Sequence, residues 1–217
     1  MYEKFGQFID GKWSPSENKE TYEVINPATE EVIGQASKAT SGDVERALKS
    51  AEKGLQIWKK TPPWQRSYIL RKIADKMREK KDVLAKWMTL ENGKPLAEGV
   101  AETNGAADIF EWNAEETKRI YGQTIESRFE DTRVHVYYQP VGVVAALSPW
   151  NFPLVLAARK IATALGAGCS VIIKPDVITP GVVMELVDIC RECGVPSGAV
   201  NLLSGDPPSI ASQLIQS

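Results

Sequence analysis

The spacing of hydrophobic residues along this 217-residue chain changes near residue 140. Before that point the apolar positions mostly follow helical spacing. Val44, Ala47, Leu48, Ala51, Leu55 and Trp58 share one helix face, with Thr40-Ser41 as its cap. Pro62-Pro63 breaks that helix. A second helix is expected over residues 64–90, with Ile69, Leu70, Ile73, Met77, Leu84, Trp87 and Met88 on one stripe. Asn92-Gly93 ends it, because both residues tolerate left-handed backbone. A third helix is expected over residues 96–119, stopping near Gly122. Strand signals flank this helical block. Asp10-Gly11, between Phe8-Ile9 and Lys12-Trp13, predicts a hairpin. Residues 22–25 and 31–33 read as short strands around the Asn26-Pro27 turn, so the opening predicts a small β layer. Val134, Val136 and Tyr138 alternate with Arg133, His135 and Tyr137, which predicts another strand.

From Val141 strand and helix alternate. Residues 141–147 form an almost unbroken apolar run, as in a parallel strand buried on both faces. Residues 152–165 read as a helix ended by Gly166-Ala167-Gly168, and 170–173 as a second buried strand. A helix over 179–193, a strand over 199–203 and a helix from Pro207 follow. This order predicts right-handed crossovers in an α/β fold with a doubly wound parallel sheet. Three parallel strands leave a long open edge, so the fold is expected to be incomplete at Ser217.

Composition narrows the function classes. A net charge of −2 and a pI near 5.6 argue against nucleic-acid binding. No apolar run approaches membrane-spanning length, and the first residues lack a signal-peptide pattern. Three cysteines make no disulfide framework, which points to a reducing cytoplasm. Cys190 and Cys193 form a C-x-x-C, but no second ligand pair accompanies them and His135 is the one histidine, so no metal site is expected. The pair falls at a helix end, where thiolates gain nothing, and reads as packing. Cys169 and His135 read as structural too.

Two residues near the strand ends carry candidate chemistry. Asn151 stands where a strand turns into a helix, between Pro149 and Pro153. It either caps that helix or offers its amide to an oxyanion, and spacing alone favours the cap. Lys174 follows a buried strand, at the carboxyl edge where such sheets bind ligands; a solvated strand end is the alternative. No Gly-x-Gly-x-x-Gly follows any strand, so an ordinary dinucleotide phosphate loop is not supported.

Taken together, Ile25-Asn26-Pro27-Ala28-Thr29, Pro140-Val141-Gly142, Pro149-Trp150-Asn151-Phe152-Pro153 and Val171-Ile172-Ile173-Lys174-Pro175 resemble the aldehyde dehydrogenase superfamily, in its order. The resemblance covers essentially the whole chain. Residues 88–98 and 111–122 look most like succinate-semialdehyde dehydrogenases. It implies NAD- or NADP-dependent oxidation of an aldehyde, such as succinate semialdehyde or another carboxylate-bearing aldehyde, through a cysteine thioester. It makes Asn151 the oxyanion-hole amide, reversing the order that spacing suggests. It makes Lys174 the ligand of the adenosine ribose, with Ser148, Pro149 and Trp150 walling the cofactor and Gly205 and Pro208 beside its adenine half. Arg159 takes the place of an arginine that pairs with the substrate's distal carboxylate. The implied layout is an N-terminal β layer and helices of the cofactor domain over 1–123, an oligomerisation arm over 124–139, and a Rossmann-like part over 140–217. A homodimer or homotetramer is implied for the full-length protein.

Three departures qualify the match. Val177 stands where many NAD-preferring members have a glutamate, and losing that carboxylate either opens the site to NADP or simply lowers cofactor affinity. Asp206-Pro207-Pro208 and Ala211 stand where relatives often have glycine or small residues. The family's nucleophilic cysteine and general-base glutamate are expected beyond Ser217. The chain alone is therefore expected to be inactive, and a truncated product serving as a cofactor-binding or interaction module is the alternative reading.

Overall fold

The computed structural model describes residues 2–217. β1 (Gln7–Ile9) and β2 (Lys12–Ser14) form a hairpin. Its turn residues Asp10 and Gly11 both have positive φ, 53° and 76°, as a right-twisted two-residue turn requires. β3 (Thr21–Ile25) and β4 (Val32–Ser37) form a second, separate hairpin. Four helices follow: α1 (Ser41–Trp58), α2 (Pro63–Glu79), α3 (Lys81–Asn92) and α4 (Leu96–Thr117). α1 starts on a capping box in which Thr40 and Asp43 each accept the other's backbone N–H. A third hairpin, β5 (Gln123–Glu126) with β6 (Arg133–Val136), stands clear of the body with nearly every residue exposed. Then come β7 (Val143–Leu147), α5 (Pro153–Gly166), β8 (Ser170–Lys174), α6 (Pro180–Glu192), β9 (Val200–Leu202) and α7 (Pro207–Gln216).

The main sheet has the order β2-β1-β9-β8-β7. β7, β8 and β9 are parallel, and β1 joins β9 antiparallel. The sheet is thus mixed: the first hairpin, expected as part of a small N-terminal β layer, extends the parallel strands. Two successive right-handed crossovers in one direction put α5 and α6 on the same face. α2, α3 and α4 pack outside them, while α1 and α7 cover the other face. The two-residue period of β8 separates the two cores. Val171 and Ile173 join the large cluster of Leu70, Phe110, Leu154 and Ile161. Ile172 joins Val44, Ala47, Leu203 and Ile210. Residues from both sides of the exposed hairpin share the large cluster.

Two expectations about continuity and burial need correction. The apolar stripe over 64–90 is buried as predicted, but it belongs to two helices. Lys80, with ψ of 15°, ends α2 and opens α3, and its amine reaches Glu185 and Glu192 on α6. β7 is an edge strand with Ala145 and Leu147 exposed, so it is not buried on both faces. One neighbour covers it, and its outer edge pairs with nothing among the described residues.

α1 lies close enough to the loop before β9 that Gly54 is required. A Cβ there would stand 2.0 Å from the Gly198 carbonyl carbon, and backbone cannot swing aside. No helix among the described residues is long and apolar enough to cross a membrane.

Candidate active site and cofactor groove

The carboxyl ends of the parallel strands define the site. Leu147 at the end of β7 is in register with Lys174 at the end of β8. The Ser148 N–H donates to the Lys174 carbonyl at 3.0 Å, carrying the ladder one residue past the strand. Between these ends and the start of α7 lies a groove of about 300 Å3, lined by Leu147, Ser148, Pro149, Lys174, Asp176 and Pro207. Crevices at this edge are where open α/β sheets take ligands. Lys174 is buried, and desolvation lowers its pKa against the opposing pull of Asp176 and Asp206. Ser148 Oγ is buried without a hydrogen-bond partner in the protein. The groove therefore offers a poorly solvated cation and an orphan hydroxyl, both suited to ribose oxygens. It brings together Ser148, Pro149 and Lys174 of the predicted set.

The turn at Asn151 is held by its backbone, which leaves its side chain uncommitted. Phe152, and not Asn151, is the N-cap residue of α5, and no local side chain caps that helix. The capping role expected from spacing is thus overturned. Glu102 on α4 takes the role: its Oε1 accepts the N–H groups of Leu154 and Val155 at 3.0 and 3.1 Å. Lys94 ion-pairs with Glu102 and donates to the Asn151 carbonyl at 3.2 Å. Asn92 Nδ2 donates to the Trp150 carbonyl at 3.1 Å. Asn151, Trp150 and Phe152 are all exposed.

The same device recurs at α6. Glu91 on α3 accepts the N–H groups of Gly181 and Val182 at 2.6 and 3.1 Å, and the Tyr2 hydroxyl donates to it as well. Full burial pushes the Glu91 carboxyl up to about 7, despite these three donors. At α7, Asp206 accepts from Ser209 N at 3.1 Å, and Pro207 and Pro208 have no N–H to offer. α5 and α6 also begin on prolines, Pro153 and Pro180. The first-turn donors of all three helices are thus absent or held by the protein's own carboxylates. A helix N-terminus is the usual seat of a nucleotide's phosphates, and none is free here. The missing glycine-rich loop and these occupied helix starts agree.

The remaining predicted residues lie apart from the groove lining. Arg159 is exposed on α5, six residues past Pro153 and so about 9 Å along the axis. It borders a separate cavity of about 490 Å3 with Lys160, Val141, Val144 and Thr163. Gly205 is buried at φ 144°, and a Cβ there would stand 2.8 Å from Ala39 N. Pro208 is exposed in the first turn of α7. Cys169 and Cys190 are buried, and burial raises the Cys190 thiol far above its usual range. Burial raises the Cys193 thiol too. His135 is exposed on β6, with its Nδ1 3.2 Å from Thr124 Oγ1. Among the described residues no cluster of three or more histidine, cysteine or acidic side chains forms a metal site.

Comparison with known proteins decides the family. The sequence profile of the aldehyde dehydrogenase family matches residues 13–217. The chain belongs to the aldehyde dehydrogenase family. Among its relatives are a glutarate-semialdehyde dehydrogenase of Pseudomonas putida, 42% identical over 95% of this chain and 43% of the relative, and an NADP(+) succinate-semialdehyde dehydrogenase of Escherichia coli, 40% identical over 95% and 43%. A crystal structure of an NADP-dependent E. coli enzyme superposes with a TM-score of 0.96 at 38% identity, covering 99% of this chain and 45% of that one. Betaine aldehyde dehydrogenase of Staphylococcus aureus, solved with NAD+, gives 0.93 at 37% identity, covering 96% and 43%. This aldehyde dehydrogenase chain thus spans less than half the length of these relatives, and its resemblance to semialdehyde dehydrogenases is borne out by them.

Proposed function

We propose that this chain supplies the adenosine side of the cofactor site and the oxyanion amide of an NAD(P)-dependent dehydrogenase for carboxylate-bearing aldehydes. One observation carries the reading. A groove at the strand ends unites Ser148, Pro149 and a desolvated Lys174, next to an Asn151 whose amide is uncommitted. Lys174 donates to the ribose hydroxyls, and Ser148 Oγ gains the partner it lacks. Trp150, Gly205 and Pro208 flank the adenosine half. The pyrophosphate takes its donors from elsewhere, because the starts of α5, α6 and α7 are filled.

The Asn151 side-chain N–H points its donor at the aldehyde oxygen, where negative charge develops during attack. One such donor is worth about 2.7–4 kcal/mol of barrier. On this reading the attacking thiolate is the family's cysteine, which lies outside residues 2–217; Cys169 and Cys190 are enclosed, and burial disfavours the thiolate at Cys190 and Cys193. The nicotinamide, when bound, accepts the hydride. Arg159 presents a planar guanidinium fork to a distal carboxylate, and the semialdehyde names of the relatives support that substrate class. The β5–β6 hairpin exposes Ile125, Phe129 and Val134, which supports its use as an assembly surface. The 217-residue chain alone forms no NAD(P)H from an aldehyde on this reading, and detectable turnover would refute it.

Calorimetry with NAD and NADP tests the groove. Saturable binding is expected, weakened ten- to a hundredfold by Lys174→Ala, since a hydrogen bond from a charged group is worth about 1.5–3 kcal/mol. Equal affinity in the variant would overturn the assignment of Lys174.

A further inference from the structure

The turn that carries Asn151 is gripped at consecutive residues by groups from one distant hairpin. Asn92 holds the Trp150 carbonyl and Lys94 the Asn151 carbonyl. Lys94 Nζ also sits 4.1 Å from the centre of the Phe152 ring. Glu102 holds the N–H groups of Leu154 and Val155. Lys94 and Glu102 are joined by an ion pair whose side chains are 7% and 2% exposed. Capping α5 accounts for Glu102 but not for Lys94, whose amine is buried with it and spent on the Asn151 carbonyl, although burying two charges gains little stability by itself.

We propose that Lys94 and Glu102, with Asn92, are positioning residues that fix the Asn151 amide. The inference rests on the reading of Asn151 given above. An oxyanion donor helps only where it is aimed before charge develops, so its mobility is a direct loss. The pair achieves this without touching the amide. Glu102 fixes the axis of α5 at its first free N–H groups. Lys94 fixes the carbonyl of the residue that bears the amide. The side chain is then free of internal partners and set by its own backbone. Both clamps come from α3, α4 and the turn between them, so the aim of Asn151 is a property of that hairpin.

The test is 15N relaxation on the 217-residue chain, comparing Lys94→Met, Lys94→Arg and Asn92→Ala with the unmodified protein. In Lys94→Met the backbone order parameters at Trp150, Asn151 and Phe152 are expected to fall from about 0.85 to below about 0.6. The Asn151 side-chain amide signal broadens or splits, while Val171, Ile172 and Ile173 keep their order. Lys94→Arg, which reaches both Glu102 and the Asn151 carbonyl, restores the turn. Unchanged order at Asn151 in Lys94→Met overturns the proposal. So does equal loosening of β8, which marks a general loss of stability. If Lys94→Met does not fold, Asn92→Ala decides: a loosened Trp150 supports the grip, and an unchanged one overturns it. These data read how the amide is held, not how it is used. The oxyanion role fails separately, if Asn151→Ala leaves turnover unchanged in an active assembly containing this chain.

Discussion

Glu91 is expected to make the stability of this protein fall as pH rises toward neutrality. Its carboxyl is fully buried beside Tyr2 and the start of α6, and burial lifts its pKa from the ordinary 4.5 to about 7. In the unfolded chain the same group titrates near its ordinary value. Between these two values the folded state holds a proton that the unfolded state has lost, so stability decreases with pH. The contribution is complete below 4.5 and is lost as pH passes 7. A displacement of about 2.5 units corresponds to about 3 kcal/mol at 1.36 kcal/mol per unit. The assay is urea denaturation from pH 5 to 8.5, on the unmodified chain and on Glu91→Gln. Other carboxylates titrate alike in both proteins, so the difference between the two curves isolates Glu91. That difference should change by about 2–3 kcal/mol over the window, which opens above the unfolded value, with the unmodified chain relatively stronger at low pH. Tyr2→Phe removes a donor that favours the charged form, and should move the transition upward. A difference that stays flat from pH 5 to 8 would mean that Glu91 is ionised in the native state throughout, and the argument would fail.

Gly54→Ala should destabilise the chain by about 1–3 kcal/mol in the same denaturation assay, because its methyl group meets the Gly198 backbone. Gly105→Ala, in α4 with nothing within 4 Å, should do the reverse and add up to about 1 kcal/mol. Val177→Glu should shift the calorimetric preference toward NAD, by placing a carboxylate where a 2′-phosphate would repel it; an unchanged ratio would remove Val177 from the specificity argument. A thiol reagent under native conditions should label Cys193 first, with Cys169 and Cys190 reacting only on unfolding.

The sequence made the β7–α5–β8–α6–β9 alternation legible, because buried parallel strands write continuous apolar runs and the crossover helices end on glycines or prolines. The stripe from Ile69 to Met88 was also legible, but its break at Lys80 was not. Lysine is an ordinary helix residue, and the stripe resumes in phase on the far side. The edge position of β7 was hidden for a similar reason: an apolar run reports preference, not the number of neighbours. At the site, Lys174 and Asn151 were found by their places at strand ends. Glu91, Lys94 and Glu102 were missed because their partners lie 52 to 91 residues away along the chain. A weak signal existed. Pro153 and Pro180 open helices that have no working local cap, and Thr179, the obvious candidate before Pro180, keeps a buried hydroxyl without a partner. A helix start with no cap of its own asks for a carboxylate from elsewhere, and Glu91 stands in a stripe that is otherwise apolar.

Borrowed caps limit how this chain can be cut and rejoined. Along the backbone, residues before β5 and residues from 140 on are linked through the exposed hairpin, where the strand pattern alone would place a seam for shuffling, although β1 pairs with β9 and α4 packs on α5 across it. A hybrid made there, with α3 and α4 from an unrelated donor, would inherit α5 and α6 with their opening N–H groups facing nothing. The reciprocal product would enclose two acids stripped of their donors. Any recombination that keeps the fold must carry Glu91, Lys94 and Glu102 along with the turns they hold, so the exchangeable piece is larger than the strand pattern suggests.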